Sequence, residues 1–363
     1  MDTIALARGV PGPDLLPVDA LRAAADRALS GSPTAALSYA GPGGYPPLRE
    51  LLASWHGVDP ARVLVTNGSL QGFALVVRTL ELMGGLEVVV ERPSYDRPLD
   101  LLRRTGIATH PVDLDAGGAR IDDLPTAPTG DAGELMAYLI PNFHNPAGVV
   151  LDEERRARAA EWVMSPGRWI FEDDPYGRLG FDGPPPPSIH ELAEGMRTIY
   201  ASSLSKTVCP GIRIGYVVLP EELVEEASSL AASTYICPTT LSAAIAHEFL
   251  ASDGFEPWID TTRAALAERC SAMVDALATA LPDASFVRPT GGYFLWLRLP
   301  DGVTAAEVAR HAQGVTFVAG SDFGPGLDGF LRLAFSAHAP GEIEAGIGRL
   351  AAAVHAATGT LVQ

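Results

Sequence analysis

Apolar positions in this chain follow two patterns that take turns. Short runs rich in β-branched and aromatic residues occupy positions 62–66, 86–91, 107–112, 136–140, 169–171, 197–201 and 213–219. Each reads as a strand. Elsewhere apolar residues return every three or four positions. That spacing predicts helices over 18–29, from the Gly/Pro loop at 37–50 to His56-Gly57, and from the turn at 67–72 to Leu82. It predicts further helices over 221–230 and most of 241–281, with breaks near Cys237-Pro238 and Asp253-Gly254. Two alternating strands, at 291–299 and 329–336, are separated by a helix and a Gly-rich turn. Residues 4–17 hold too much Pro and Gly for a helix and read as an extended arm that needs a surface to lie on, and 115–129 reads as a surface loop. Strands alternating with helices indicate an α/β protein, in which ligands bind beyond the strand ends.

Composition narrows the partners. The 363 residues carry a net charge of −18 and are 47% hydrophobic, enough for two domains and a large core. An acidic chain without a basic patch argues against nucleic acid or an anionic membrane as a partner. Cys209, Cys237 and Cys270 are far apart, which indicates neither a disulfide framework nor a zinc site and suits a reducing cytoplasm. The eight histidines are scattered, none spaced as a metal-ligand pair, so no metal is expected. His144 alone falls inside a motif, where it reads as a packing residue. No basic-then-apolar leader and no apolar stretch of membrane-spanning length are present, so a cytoplasmic location is expected.

Lys206 is the only lysine in the sequence. Arginine meets every other need for positive charge, yet it cannot lose its proton and condense with an aldehyde. A desolvated amine can. This amine sits in a loop between two strand-like runs, in Ser203-Leu204-Ser205-Lys206 followed by Pro210-Gly211-Ile212-Arg213-Ile214-Gly215-Tyr216. A second chemical feature closes the run at 169–171 with acids, Glu172-Asp173-Asp174-Pro175-Tyr176. A third is the turn Asn145-Pro146-Ala147-Gly148, in which proline restricts the direction of Asn145.

Together these residues resemble the cofactor-lysine motif and its partners in fold-type-I pyridoxal-phosphate (PLP) enzymes, the aspartate aminotransferase superfamily. They are similar to the subgroup that handles aromatic amino acids and 2-aminoadipate. The resemblance runs from Gly9 to Ser336. It implies a mixed, mostly parallel seven-stranded sheet sandwiched by helices, with a smaller α+β domain. The expected division is an arm and helix at 1–35, a large PLP-binding domain at 36–240 and a small domain at 241–363. It also implies a homodimer.

The resemblance assigns roles. Lys206 holds PLP as a Schiff base and moves the Cα proton. Asp173, chosen over Asp174 by the Asp-x-x-Tyr pattern, pairs with the pyridinium nitrogen, and Tyr176 bonds the ring oxygen. Asn145 donates to that oxygen and touches the substrate carboxylate. Tyr95 stacks on the ring. The phosphate falls to Gly68, Ser69 and Leu70 at a helix start, to Ser203, Ser205 and Arg213, and to Tyr39 from the neighbouring subunit. Leu70 stands where the family usually has glutamine. Arg332 forks the substrate α-carboxylate, and Gly9 lets the arm approach it. The implied reaction moves an amino group from an amino acid to a 2-oxo acid. Elimination, cyclisation or decarboxylation on the same cofactor, and a non-catalytic PLP sensor, are the alternatives. Related regulators carry an N-terminal DNA-binding domain, and none is expected here.

Overall fold

The computed structural model describes residues 2–359. Its central sheet follows the order Val63–Thr66, Gly215–Val218, Thr198–Ser203, Arg168–Asp173, Glu134–Leu139, Leu86–Arg92, Thr109–Asp115, with the two-residue strand Gly118–Ala119 at the edge. The four neighbour pairs from Thr198–Ser203 across to Thr109–Asp115 are parallel. Gly215–Val218 runs antiparallel to both its neighbours. The expected seven strands are therefore present, joined by an eighth in the stretch expected to be loop. There Leu114 and Asp115 pair with Ala119 and Gly118. The strand expected at 107–112 begins later, at Thr109.

Both faces of the sheet are covered, so its strands read as continuous apolar runs. Because side chains alternate along a strand, Val88, Met136, Tyr138, Trp169 and Phe171 pack to one side. There they meet Phe73 and Val76 of helix Ser69–Gly84 and Leu223 and Ala227 of helix Glu221–Tyr235. Val89, Leu135, Ala137 and Ile170 pack to the other, under helix Glu153–Val163. Val63, Val65, Tyr200 and Val218 extend that second face beneath helices Pro46–His56 and Thr240–Leu250.

The C-terminal part has a core of its own. Phe294–Arg298, Phe330–Ala334 and Val318–Ala319 form an antiparallel sheet. Leu295, Leu297, Leu331 and Leu333 bury against Leu266, Met273 and Leu277 of helix Phe255–Ala280 and Ile343, Ile347 and Leu350 of helix Pro340–Ala357. The long helix changes core along its length: Ile259 packs with the large sheet and Leu266 with the small one. The arm lies on the small sheet's core. Ile4 and Ala5 pair in parallel with Val315 and Thr316, and Leu6 is fully buried. None of the described helices is long and apolar enough to cross a membrane.

Candidate active site

Strand parity decides which end groups meet. Phe171 and Ala201 face helix Ser69–Gly84, and two residues on, Asp173 and Ser203 emerge on the same side, lining a cavity of about 570 Å³. Asp174, Tyr200 and Ser202 have the opposite parity and line a separate cavity. Asp174 is fully engaged there: it accepts from Tyr200 O–H at 2.8 Å and from the Gly177 N–H at 2.7 Å.

The main cavity gathers Gly9, Gly68, Ser69, Leu70, Tyr95, Asn145, Asp173, Tyr176, Ser203, Ser205, Lys206, Arg213 and Arg332 from seven separate stretches of the chain. Tyr39 does not line it and is 82% exposed.

One end of the cavity is built for an anion. Gly68, at φ 90°, precedes helix Ser69–Gly84, whose first amides and positive dipole end point outward. An amide contact at position 70 is indifferent to the side chain, which accommodates leucine there. Arg213, at φ 54°, donates to the Asn67 carbonyl at 3.0 Å. The strand that follows it, Gly215–Val218, abuts the helix start so closely that a Cβ on Gly215 would lie 2.3 Å from the Ser69 nitrogen. Ser203 and Ser205 complete that end.

Lys206 Nζ donates to the Gly9 carbonyl at 2.8 Å. Burial, with Arg332 and Arg213 nearby, brings its ammonium down to about 8 against the pull of Asp173. Asp173 is pushed up to about 6, chiefly by burial, while a hydrogen bond from Tyr138 opposes the shift. That bond joins Tyr138 O–H to Oδ2 at 2.6 Å, and Oδ1 is buried without a partner. A buried carboxylate oxygen with no donor is costly unless a ligand supplies one.

At the far end, Arg332 donates to Asn145 Oδ1 at 2.9 Å and to the Ala7 carbonyl at 3.0 Å, while its buried Nε lacks a partner. Its guanidinium lies 4.3 Å from the Phe294 ring centre and 4.9 Å from that of Phe323. Arg332 pairs across the sheet with Trp296 and Val318, and is 9% exposed.

The chain matches the family described as Aminotransferase class I and II over residues 2–350. It belongs to that family.

This aminotransferase is 33% identical over 359 residues to the 2-aminoadipate transaminase of Thermus thermophilus, covering 97% of this chain and 90% of that one. It is 30% identical to the aromatic-amino-acid aminotransferase 1 of Thermococcus litoralis, over 96% of this chain and 87% of that one. Among solved structures it resembles the α-aminoadipate aminotransferase of Thermus thermophilus complexed with N-(5'-phosphopyridoxyl)-L-leucine. The TM-score is 0.90 at 31% identity, covering 99% of this chain and 94% of that one. The chain is an enzyme of amino-group transfer, and the elimination and sensor readings are not favoured.

Several residues of the aminotransferase site escaped the sequence reading. Tyr138 looked like strand interior. Glu91 ended a strand, yet it accepts from the Ile140 N–H at 2.8 Å and from His144 Nε2 at 3.0 Å. The Ala147 N–H donates to His144 Nδ1 at 3.2 Å, which leaves the proton on Nε2. His144 and Glu91 thus brace the turn that presents Asn145. Phe294 and Phe323 were legible only as apolar residues.

Proposed function

We propose that this aminotransferase binds PLP in the main cavity and moves an amino group from an α-amino acid to a 2-oxo acid. The observation that carries the proposal is the pairing, in one cavity, of a lone amine lowered toward neutrality with a buried Asp173 oxygen that lacks a donor. Gly68, Ser69 and Leu70 amides, Ser203, Ser205 and Arg213 would hold the phosphate. Tyr95 would lie against the ring, Asn145 and Tyr176 would bond its oxygen, and Asp173 would meet its nitrogen. PLP, when bound, supplies an aldehyde carbon for the amino group and an electron sink for the Cα electrons.

The remaining chemistry belongs to the chain. Lys206, whose amine is neutral in part at physiological pH, would hold the cofactor and, with its amine free, would take the proton from Cα. Asp173, ionised at neutral pH, would accept the ring N–H. Arg332, with Asn145 beside it, forks the α-carboxylate and so aims the Cα–H bond. Running the sequence in reverse on a 2-oxo acid completes the transfer.

We further propose a cytoplasmic homodimer, with large, small and arm regions divided at 36–240, 241–363 and 1–35. Exposed Leu37, Tyr39, Ile236 and Leu241 offer apolar surface for a second subunit, whose Tyr39 would reach this cavity. Borohydride reduction of the PLP-loaded enzyme, followed by peptide mapping, should place the cofactor on Lys206. One turnover with an amino acid should yield pyridoxamine phosphate and the matching 2-oxo acid. Label on no lysine, or turnover without pyridoxamine phosphate, would overturn the proposal.

A further inference from the structure

The two oxygens of Asp173 have different surroundings. Oδ2 is taken by Tyr138 O–H at 2.6 Å, while Oδ1 is buried and free. Torsion about the last bond of an aspartate is soft, so something must hold the group in this orientation. Tyr138 is fitted to do so. It is fully buried on Glu134–Leu139, beside Phe171 in register. Its ring is held edge-on by Phe73 at 5.0 Å and lies 5.9 Å from Phe171. Its phenol is pushed well above its usual range by burial and by the charge of Asp173, so it remains a donor. The other influences on Asp173 divide. Burial, Asp174 and Glu91 favour the neutral acid, while Tyr138 and Lys206 favour the carboxylate.

Building on the reading that Asp173 receives the ring nitrogen of PLP, we infer that Tyr138 is a positioning residue that keeps the Asp173 carboxylate ionised, with Oδ1 left for the ring N–H. Tyr138 is not among the residues that line the cavity; it acts through Asp173. A phenylalanine keeps the ring and its packing and removes only the donor.

The test is PLP titration of wild-type and Tyr138→Phe apoenzyme at pH 6.0 and pH 8.5, followed by absorbance. Losing a hydrogen bond to an ionised acceptor shifts its titration by about one unit. The loss of PLP affinity should therefore be about five-fold larger at pH 6.0 than at pH 8.5. Fluorotyrosine at position 138, a stronger donor, should move the difference the other way. In an Asp173→Asn background, removing the Tyr138 hydroxyl should change affinity less than about two-fold at either pH. An equal loss at both pH values, no loss, or the same loss without the Asp173 carboxylate would overturn the inference. A wild type that binds no PLP would instead overturn the proposed function on which it rests.

Discussion

Replacing Arg332 by lysine separates charge from geometry. The guanidinium directs one nitrogen at Asn145 and another at the Ala7 carbonyl, and its carbon lies over the rings of Phe294 and Phe323. It leaves a third nitrogen unpaired in a buried position. An ammonium supplies the same charge from one point and cannot span these directions or stack as a plane. If Arg332 forks the substrate α-carboxylate, Arg332→Lys removes a charge-assisted, two-pronged pair from a mostly dry site, a change that costs about 2–5 kcal/mol. That corresponds to roughly thirty-fold or more in kcat/KM. Cofactor loading should be unaffected, since the phosphate end and Lys206 are untouched. The assay is single-turnover kinetics of wild type and variant with an amino acid and with the matching amine that lacks the carboxylate. The amino acid should lose rate and the amine should not. Equal losses on both substrates, or none on either, would show that Arg332 is no carboxylate anchor.

Four further outcomes follow from the structure. Asp173→Asn should keep the fold and slow Cα deprotonation by orders of magnitude in stopped-flow absorbance. Asp174→Asn should chiefly lower the melting temperature, because its carboxylate serves Tyr200 and Gly177. Lys206 is held near 8 in the folded chain against an ordinary 10.5. Between these values the unfolded chain binds the extra proton, so this group makes the apoenzyme more stable as pH rises through that window. Lys206→Met should therefore stabilise the apoenzyme most below pH 8, with the advantage shrinking toward pH 10.5, as read by chemical denaturation at each pH. Tyr39→Phe should leave the proposed dimer intact by light scattering and weaken PLP binding if that hydroxyl reaches the neighbouring phosphate; unchanged affinity would remove Tyr39 from the site.

Much of the fold was legible because its sheet is buried on both faces, which turns each strand into an unbroken apolar run that pattern alone detects. The exceptions have physical reasons. Thr109–Asp115 lies near the sheet edge with exposed and half-buried residues, so its pattern is weak, and the short strand Gly118–Ala119 has no pattern of its own. The arm is strand at Ile4–Ala5 but winds into a short 3-10 helix at Pro13–Leu15, and its partner strand Val315–Thr316 is two residues long and gives no signal. Lys206 was legible for a different reason: a residue type used once is informative without any periodicity.

The acids at 172–174 show what local sequence could not supply. Three consecutive carboxylic acids end one strand, and nothing in their chemistry distinguishes them. The selection of Asp173 rested on a family spacing. In the folded chain the distinction is mechanical, since the two-residue period sends Asp173 with Phe171 toward the helix Ser69–Gly84 side and Glu172 and Asp174 the other way. Each acid then meets different company. Glu172 accepts from the Ile189 and His190 amides, and Asp174 from Tyr200 and Gly177. Asp173 alone is left with one oxygen unpaired. A one-residue slip of this strand would exchange Asp173 for a neighbour already committed to holding loops in place. The register that buries Trp169 and Phe171 is therefore also what delivers a carboxylate to the cavity, and the apolar residues of this strand are as necessary to the site as the acid that ends it.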